Sequence, residues 1–161
     1  ENLDAPNYWT VGRAYHLLAL EADLIPDNSV DKIAQKILTD FDSKKAGTLV
    51  DVNFTDSSRY LGAVKVLAEI ADRTTQELAE KALSHFRNQP EVEPNHFRFH
   101  DDSEADAVAK IAAEHPELRV CSMEHLVYLL GRSETSRKRN VVETIHEFRD
   151  IARPFFEIRL L

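Results

Sequence analysis

The chain has 161 residues, of which 43% are apolar and 30% are charged, with only four glycines and six prolines. This composition is typical of one compact, helix-rich domain and excludes a fibrous or disordered chain. The formal net charge of −8 disfavours a protein that covers nucleic acid or an anionic membrane with its whole surface.

Cys121 is the single cysteine, which excludes an internal disulfide and a zinc site made of several thiolates. A reducing, cytoplasmic compartment is therefore expected. No segment approaches the ~20 apolar residues of a membrane helix, and the N-terminal residues lack the pattern of a signal peptide. We expect a single domain over residues 1–161, alone or as a module of a larger protein or assembly, without membrane contact.

The N-terminal part begins with two predicted helices. The first runs from about Asn7 or Thr10 to Asp23, and Pro26 ends it. The second follows a cap at Asn28 or Ser29, and its apolar residues recur at i, i+3, i+4 and i+7. These apolar residues are Val30, Ile33, Ala34, Ile37, Leu38 and Phe41.

Residues 48–54 (TLVDVNF) are predicted as a strand, because valines alternate there with polar residues. Two further helices follow, and the first of them starts at Asp56 or Ser57. The second is opened by a predicted capping box, Thr74-x-x-Glu77, in which the threonine hydroxyl accepts from a free amide and the glutamate reaches back.

Residues 96–130 are predicted to alternate between strand and helix. HFRFH (96–100) and LRVCS (118–122) are the strands, Ser103-x-x-Asp106 caps the helix between them, and Gly131 closes a short helix after the second. A last helix over about 135–151 precedes a strand at 155–160. The expected fold is α/β: a small, mostly parallel sheet of these four strands, flanked by about seven helices. No internal repeat is evident.

Three aspartates are candidate metal ligands. In open α/β sheets, ligands bind outside the carboxyl ends of the strands; Asp51 lies in the first predicted strand, and Asp101 and Asp102 follow the second. Carboxylates suit magnesium or manganese, and His100 beside them permits acid–base hydrolysis. The favoured interpretation of the stretch at Asp101 and Asp102 is simpler: its polar residues cap a helix and occupy its first turn, where the helix dipole stabilises acidic side chains. No cofactor is expected in that case.

The run from Ser103 to Leu130, an acid-capped helix, a strand and then MEHLVYLL, resembles the closing βα unit of PIN-like or restriction-endonuclease-like nucleases. The resemblance covers under a fifth of the chain. It implies that Asp51 acts with Asp101 or Asp102 on a metal ion. The Asp/Glu-x-Lys core of the endonuclease-like group is not found after TLVDVNF.

The histidines are not spaced as a helical zinc motif, since no HExxH occurs. Cys121 is predicted to be a small buried hydrophobe in its strand. The alternative is a nucleophile stabilised by the following helix N-terminus, with His125 as its nearest partner in sequence.

The most conspicuous charged run is GRSETSRKRN at 131–140, whose cations are Arg132, Arg137, Lys138 and Arg139. Residues 1–131 carry 13 basic and 23 acidic side chains (net −10), whereas residues 132–161 carry seven and five (net +2). Guanidinium groups near a helix N-terminus favour the binding of an anion such as a phosphate. Aromatic platforms for single-stranded bases are missing from this run, which disfavours nucleic acid as the ligand.

The leading functional hypothesis is a non-catalytic binding or regulatory domain that engages an anionic ligand or an acidic protein partner through Arg132–Arg139. Nucleic acid is a further candidate ligand of that segment. The alternative is a metal-dependent phosphohydrolase or nuclease that uses Asp51, Asp101 and Asp102 with magnesium or manganese. A third hypothesis is self-association into a homo-oligomer through apolar helix faces, since the first helix and Met123–Leu130 are wide in their apolar stripe.

Overall fold

The computed structural model describes residues 8–45, 54–87, 101–132, 138–150 and 153. Within these ranges the chain forms seven α-helices and three short 3-10 turns, and it contains no β-strand. The helices are α1 (Tyr8–Leu20), α2 (Asp27–Lys45), α3 (Phe54–Glu69), α4 (Gln76–Arg87), α5 (Asp101–Glu114), α6 (Arg119–Arg132) and α7 (Lys138–Glu147).

The predicted α/β fold with a parallel sheet is therefore wrong. The strand predicted at 118–122 is helical: Leu118 ends a 3-10 turn and the other four residues begin α6. Of the strand predicted at 48–54, only Phe54 is described, and it is the first residue of α3. The strands predicted at 96–100 and 155–160 lie outside the described residues.

LRVCS is helical because its buried residues continue the pattern of the segment that follows. Ser122, Met123, Leu126 and Leu129 are each at most 1% exposed, and their spacing is that of one helix face. Val120, in the middle of the predicted strand, is 57% exposed. A run of five residues fits the spacing of apolar residues in a strand as well as in a helix, whereas the fourteen residues of α6 fit only the helix.

Each 3-10 turn joins two consecutive helices into a helical hairpin. Hairpin 1 is α1, the turn Ala22–Leu24 and α2; hairpin 2 is α3, the turn Ala71–Arg73 and α4; hairpin 3 is α5, the turn Pro116–Leu118 and α6. Every turn starts two residues after the first helix of its hairpin ends, at Leu20, Glu69 and Glu114. The three hairpins thus share the placement of the turn between their two helices.

The hairpins stack in parallel. Contacts between consecutive hairpins join residues that are separated by similar numbers of positions along the sequence, as parallel stacking requires. Between hairpins 1 and 2, Asp31 accepts from the amide of Thr75, 44 residues away. Between hairpins 2 and 3, Lys110 and Glu69 form an ion pair at 2.6 Å and are 41 residues apart. The first helices contact one another in the order α1, α3, α5, and the second helices in the order α2, α4, α6.

The described part of the chain is therefore a short array of structurally similar helical hairpins, although no repeat is evident in its sequence. The first residues of the three turns are 49 and 45 positions apart (71 − 22 and 116 − 71), close to the ~40–47 residue period of known helical-hairpin arrays. In such arrays each unit buries its apolar face only against its neighbours.

The turns are held by side chains that reach back from the following hairpin. Arg73 donates to the carbonyls of Ala22, at 2.6 Å, and Ile25, at 2.8 Å. His115 Nε2 lies 3.0 Å from the carbonyl oxygen of Ala71, so this nitrogen carries the proton. Ala22 and Ala71 are the equivalent first residues of their turns, and each carbonyl is capped by the next unit.

The helix α7 packs against both α5 and α6. The Arg119 guanidinium, at the start of α6, lies 5.3 Å from the centre of the Phe148 ring, one residue beyond α7. The end of α7 therefore lies beside the start of α6, and the two helices are antiparallel. This places α7 where the first helix of a fourth hairpin would stand.

Within the described ranges, no helix combines the length and the apolar character needed to cross a membrane.

Candidate functional site

A cleft between α1, α2 and α3 is lined by polar and aromatic side chains. Its lining residues are Tyr15, Asp40, Phe41, Arg59, Tyr60 and Ala63. Tyr15 is fully buried.

Asp40 lies at the centre of this cleft and is bonded from both neighbouring helices. Tyr15 donates to Oδ2 of Asp40 at 3.0 Å from α1, and Arg59 reaches the same oxygen at 2.6 Å from α3. The Lys36 ammonium lies 3.9 Å from the other oxygen. The side chain of Asp40 is only 20% exposed, so the network joins three helices where water screens it incompletely.

A second buried carboxylate lies in the contact between α3 and α5. Glu104 is 1% exposed, and the Tyr60 hydroxyl donates to its Oε1 at 2.5 Å. Phe41 stacks on the buried ring of His85, with 4.3 Å between ring centres and 17° between ring planes, and its ring also contacts Tyr60. Aromatic and carboxylate groups from hairpins 1, 2 and 3 thus meet in one cluster.

This arrangement is better suited to stabilising the packing of the helices than to binding a substrate. The cavity volume of the cleft is about 20 Å³, whereas pockets for small molecules span ~300–1,000 Å³. Its central carboxylate is already engaged by Tyr15 and Arg59. The cleft therefore fixes the relative positions of α1, α2 and α3.

Of the three predicted metal ligands, the structure describes the backbone of two. Asp51 lies outside the described residues; Asp101 and Asp102 are the first two residues of α5, and their side chains are not described. The reason for expecting these acids at one place was the edge of a parallel sheet, and that sheet is absent from the described ranges. Over the same ranges, no three side chains of the metal-binding types are grouped as a metal site requires.

The predicted anion-binding cations flank the connection between α6 and α7. Arg132 is the last residue of α6, whereas Lys138 and Arg139 are the first two residues of α7; Arg137 lies outside the described residues. The first turn of α7 contains no acidic residue. The basic segment therefore connects two antiparallel helices and runs into a helix N-terminus.

Cys121 and His125 differ in burial, which disfavours the nucleophile and base considered from the sequence. Cys121 is exposed on α6, so its predicted role as a small buried strand residue is wrong. His125 is 2% exposed, and its ring lies 6.0 Å from that of Tyr128. The thiol therefore faces solvent, whereas the imidazole is buried.

Asp40, which is half-buried, and Glu104, which is buried, were not among the residues predicted to have a functional role. The signal for Glu104 was present in the sequence. It lies four residues before Val108 and seven before Ile111, both of which are at most 1% exposed, and so belongs to their apolar stripe. No comparable spacing identifies Arg59, whose partner is 19 residues away.

No family model, no curated protein and no solved structure matches this chain. The residues of the chain itself are therefore the whole basis for its function.

Proposed function

We propose that this chain is a non-catalytic binding domain, and that its basic segment, Arg132–Arg139, engages an acidic segment of a protein partner. Stacked helical hairpins form extended surfaces, which is how arrays of this kind bind other proteins. The observation that favours this function most is the charge at the start of α7, where two cations stand in the first turn without an acidic residue.

Cations at this end of a helix weaken the helix when it is alone. The backbone dipole makes the N-terminus positive, and a like charge there costs ~0.3–1 kcal/mol. Free amides and cationic side chains in the same turn provide a favourable place for a carboxylate or a phosphate. An anionic partner would therefore convert an unfavourable placement at Lys138 and Arg139 into a favourable one.

The contacts of the polar groups in the interior support binding rather than catalysis. The half-buried Asp40 and the buried Glu104 and His115 each form a hydrogen bond with a different helix or turn. Such bonds stabilise the stack, because a buried polar group without a partner costs ~1–3 kcal/mol. Chemistry at these positions would require breaking contacts that join the helices.

An acidic peptide suits this segment better than a nucleic acid does. The chain as a whole carries −8 and would repel a long polyanion, whereas a short acidic segment needs only the local excess of positive charge. We propose a reducing, cytoplasmic compartment for this interaction, because a single cysteine is typical of proteins that form no structural disulfide.

Fluorescence anisotropy with a labelled oligoglutamate peptide tests the proposal. We expect binding that weakens as salt is added, and a loss of at least about tenfold in affinity, or 1.4 kcal/mol, in an Arg137→Ala/Arg139→Ala variant. A Lys32→Ala/Lys81→Ala variant removes two exposed cations from α2 and α4 and should bind as the unmodified chain does.

Three results would count against the proposal: no binding of the peptide, equal binding by the two double variants, or binding that is insensitive to salt. A labelled single-stranded oligonucleotide is the second probe. Binding of the oligonucleotide without binding of the peptide would replace the protein partner by nucleic acid.

The metal-dependent phosphohydrolase or nuclease predicted from Asp51, Asp101 and Asp102 stays the alternative proposal. The helical start of α5 at Asp101 agrees with the simpler interpretation of these acids as first-turn residues. Thermal melts with magnesium or manganese distinguish the binding domain from the hydrolase or nuclease.

A further inference from the structure

The outward face of α1 differs from the equivalent faces of the next two hairpins. Position five before the turn is Leu17 in hairpin 1, Val66 in hairpin 2 and Ile111 in hairpin 3. Val66 is fully buried and Ile111 is 1% exposed, but Leu17 is 62% exposed. The same kind of side chain stands at one repeat position and is covered in only two of the three units.

The last residue of the turn is likewise more exposed in hairpin 1 than in hairpins 2 and 3. Leu118 is 5% exposed and Arg73 is 22% exposed, since Arg73 reaches back to the preceding hairpin. Their equivalent, Leu24, is 75% exposed. One residue before the turn, Glu21 is exposed, whereas its equivalents Ile70 and His115 are buried.

These positions are the side of each hairpin that packs against the unit before it. In hairpin 1 this side has no preceding unit among the described residues. It shows Leu17 and Leu24, and the exposed Leu20 lies between them in the sequence; each of the three is more than 60% exposed. A solvated outer face of such an array is normally polar. Three leucines within eight residues therefore indicate a surface that something covers.

The charges around Leu17 fit a second copy of this chain. Arg13 and Glu21 are both exposed, and each lies four residues from Leu17, so all three share one stripe of the helix. If two copies of α1 pair in antiparallel orientation about a two-fold axis at Leu17, Arg13 faces Glu21 of the partner subunit, and Glu21 faces Arg13 of the partner subunit. Parallel pairing would oppose like charges.

We propose that two copies of this chain dimerise through α1, with the helices antiparallel and Leu17 on the symmetry axis. Leu20 then lies opposite Ala14 of the partner subunit, so that large and small side chains alternate across the contact. One helix face buries less than the ~800 Å² per partner of a standard interface. The dimer is therefore weak and depends on protein concentration.

Sedimentation equilibrium over a wide range of protein concentration tests the contact on the full chain. We expect a monomer–dimer equilibrium, and a loss of at least about tenfold in association for Leu17→Glu. The matched control is Val120→Glu, which changes an exposed apolar residue of α6 that is 57% exposed and should leave the equilibrium unchanged. Circular dichroism of both variants verifies that they fold.

A charge swap tests the antiparallel register. Arg13→Glu and Glu21→Arg should each weaken the dimer, whereas the double variant should restore it, because the opposite charges again face one another. In a Cys121→Ser background, Leu17→Cys should form a disulfide-linked dimer with oxidised glutathione, and Lys65→Cys on α3 should not. A chain that stays monomeric at all concentrations overturns the proposal and leaves the face to a different protein. A dimer that is unaffected by Leu17→Glu, or not restored by the charge swap, also overturns it.

Discussion

The hydroxyl of Tyr60 donates a hydrogen bond of 2.5 Å to Oε1 of Glu104, across the contact between α3 and α5. The two residues are 44 positions apart and belong to consecutive hairpins. Because Glu104 is 1% exposed, this bond stabilises the stack of hairpins 2 and 3 where water does not compete.

Replacing Tyr60 by phenylalanine removes this donor and should lower the free energy of unfolding by ~1–3 kcal/mol. Glu104→Gln keeps an acceptor but removes the charge. A double-mutant cycle of the two changes, measured by urea denaturation, should give a coupling of at least ~0.5 kcal/mol. Additive effects of the two substitutions would show that the hydroxyl and the carboxylate do not stabilise one another.

Gly62 lies where α1 and α3 approach most closely. A Cβ added there would meet the Cβ of Tyr15 at 3.0 Å and the carbonyl oxygen of Gly12 at 3.1 Å. Gly62→Ala gains ~1 kcal/mol in helix propensity but forces two helices apart, at a cost of ~1–3 kcal/mol. We expect a net loss of about 1 kcal/mol in denaturant unfolding.

The control for this substitution is Gln35→Ala, an exposed position of α2 that should change stability by less than ~0.5 kcal/mol. A stabilised Gly62→Ala variant would mean that α1 and α3 are not in close contact at this point.

Much of the helical part of the fold could be predicted from the sequence, since long stripes of apolar residues specify their own period. The stripe of Val30, Ala34, Ile37 and Phe41 lies in α2 and is buried as predicted. LRVCS was mispredicted because five residues fit either period, and only its continuation through Leu129 favours a helix. The hairpin repeat was missed because its units share a geometry and not a motif: their turns begin with Ala22, Ala71 and Pro116.

The predicted capping box at Thr74 does not form. The Thr74 hydroxyl donates to the carbonyl of Ile70 at 2.7 Å, and α4 begins at Gln76, one residue too late for the predicted box. The amide of Thr75, which is not one of the two amides that a box at Thr74 would satisfy, donates to Asp31 of α2. The prediction was therefore wrong about both the start of the helix and the partner of the threonine hydroxyl.

Glu77, the other member of that box, pairs with Lys81 at 2.7 Å. The hydrogen bond from Lys81, followed by the charge of the same residue, lowers the pKa of Glu77 below its usual value. A lowered folded-state pKa stabilises the protein at pH values above the unfolded-state pKa, and this contribution is lost as the pH falls through the folded-state pKa.

A Lys81→Ala variant should therefore raise the pKa of Glu77 in an NMR titration of its carboxyl carbon. High salt should reduce the difference, because both side chains are exposed. An unchanged pKa of Glu77 in the variant would show that Lys81 does not stabilise the charged form of Glu77.

Metal ions distinguish the binding domain from the alternative hydrolase. If Asp51, Asp101 and Asp102 held magnesium or manganese, a concentration 100 times the dissociation constant would add ~2.7 kcal/mol to the free energy of unfolding. We expect no change in the melting temperature with either ion, for the unmodified chain and for Asp101→Asn alike. Stabilisation that disappears in Asp101→Asn would favour the hydrolase.

The parallel stack of helical hairpins is the claim on which the site, the proposed function and the dimer depend. Nuclear Overhauser effects in the labelled chain test it directly, since they report pairs of protons within ~5 Å. The stack predicts cross-peaks between the rings of Phe41 and His85, whose centres are 4.3 Å apart, and between the α-protons of Gly62 and the side chain of Tyr15. Absence of these cross-peaks, together with strand-type contacts from residues 118–122 to residues 96–100, would contradict the account.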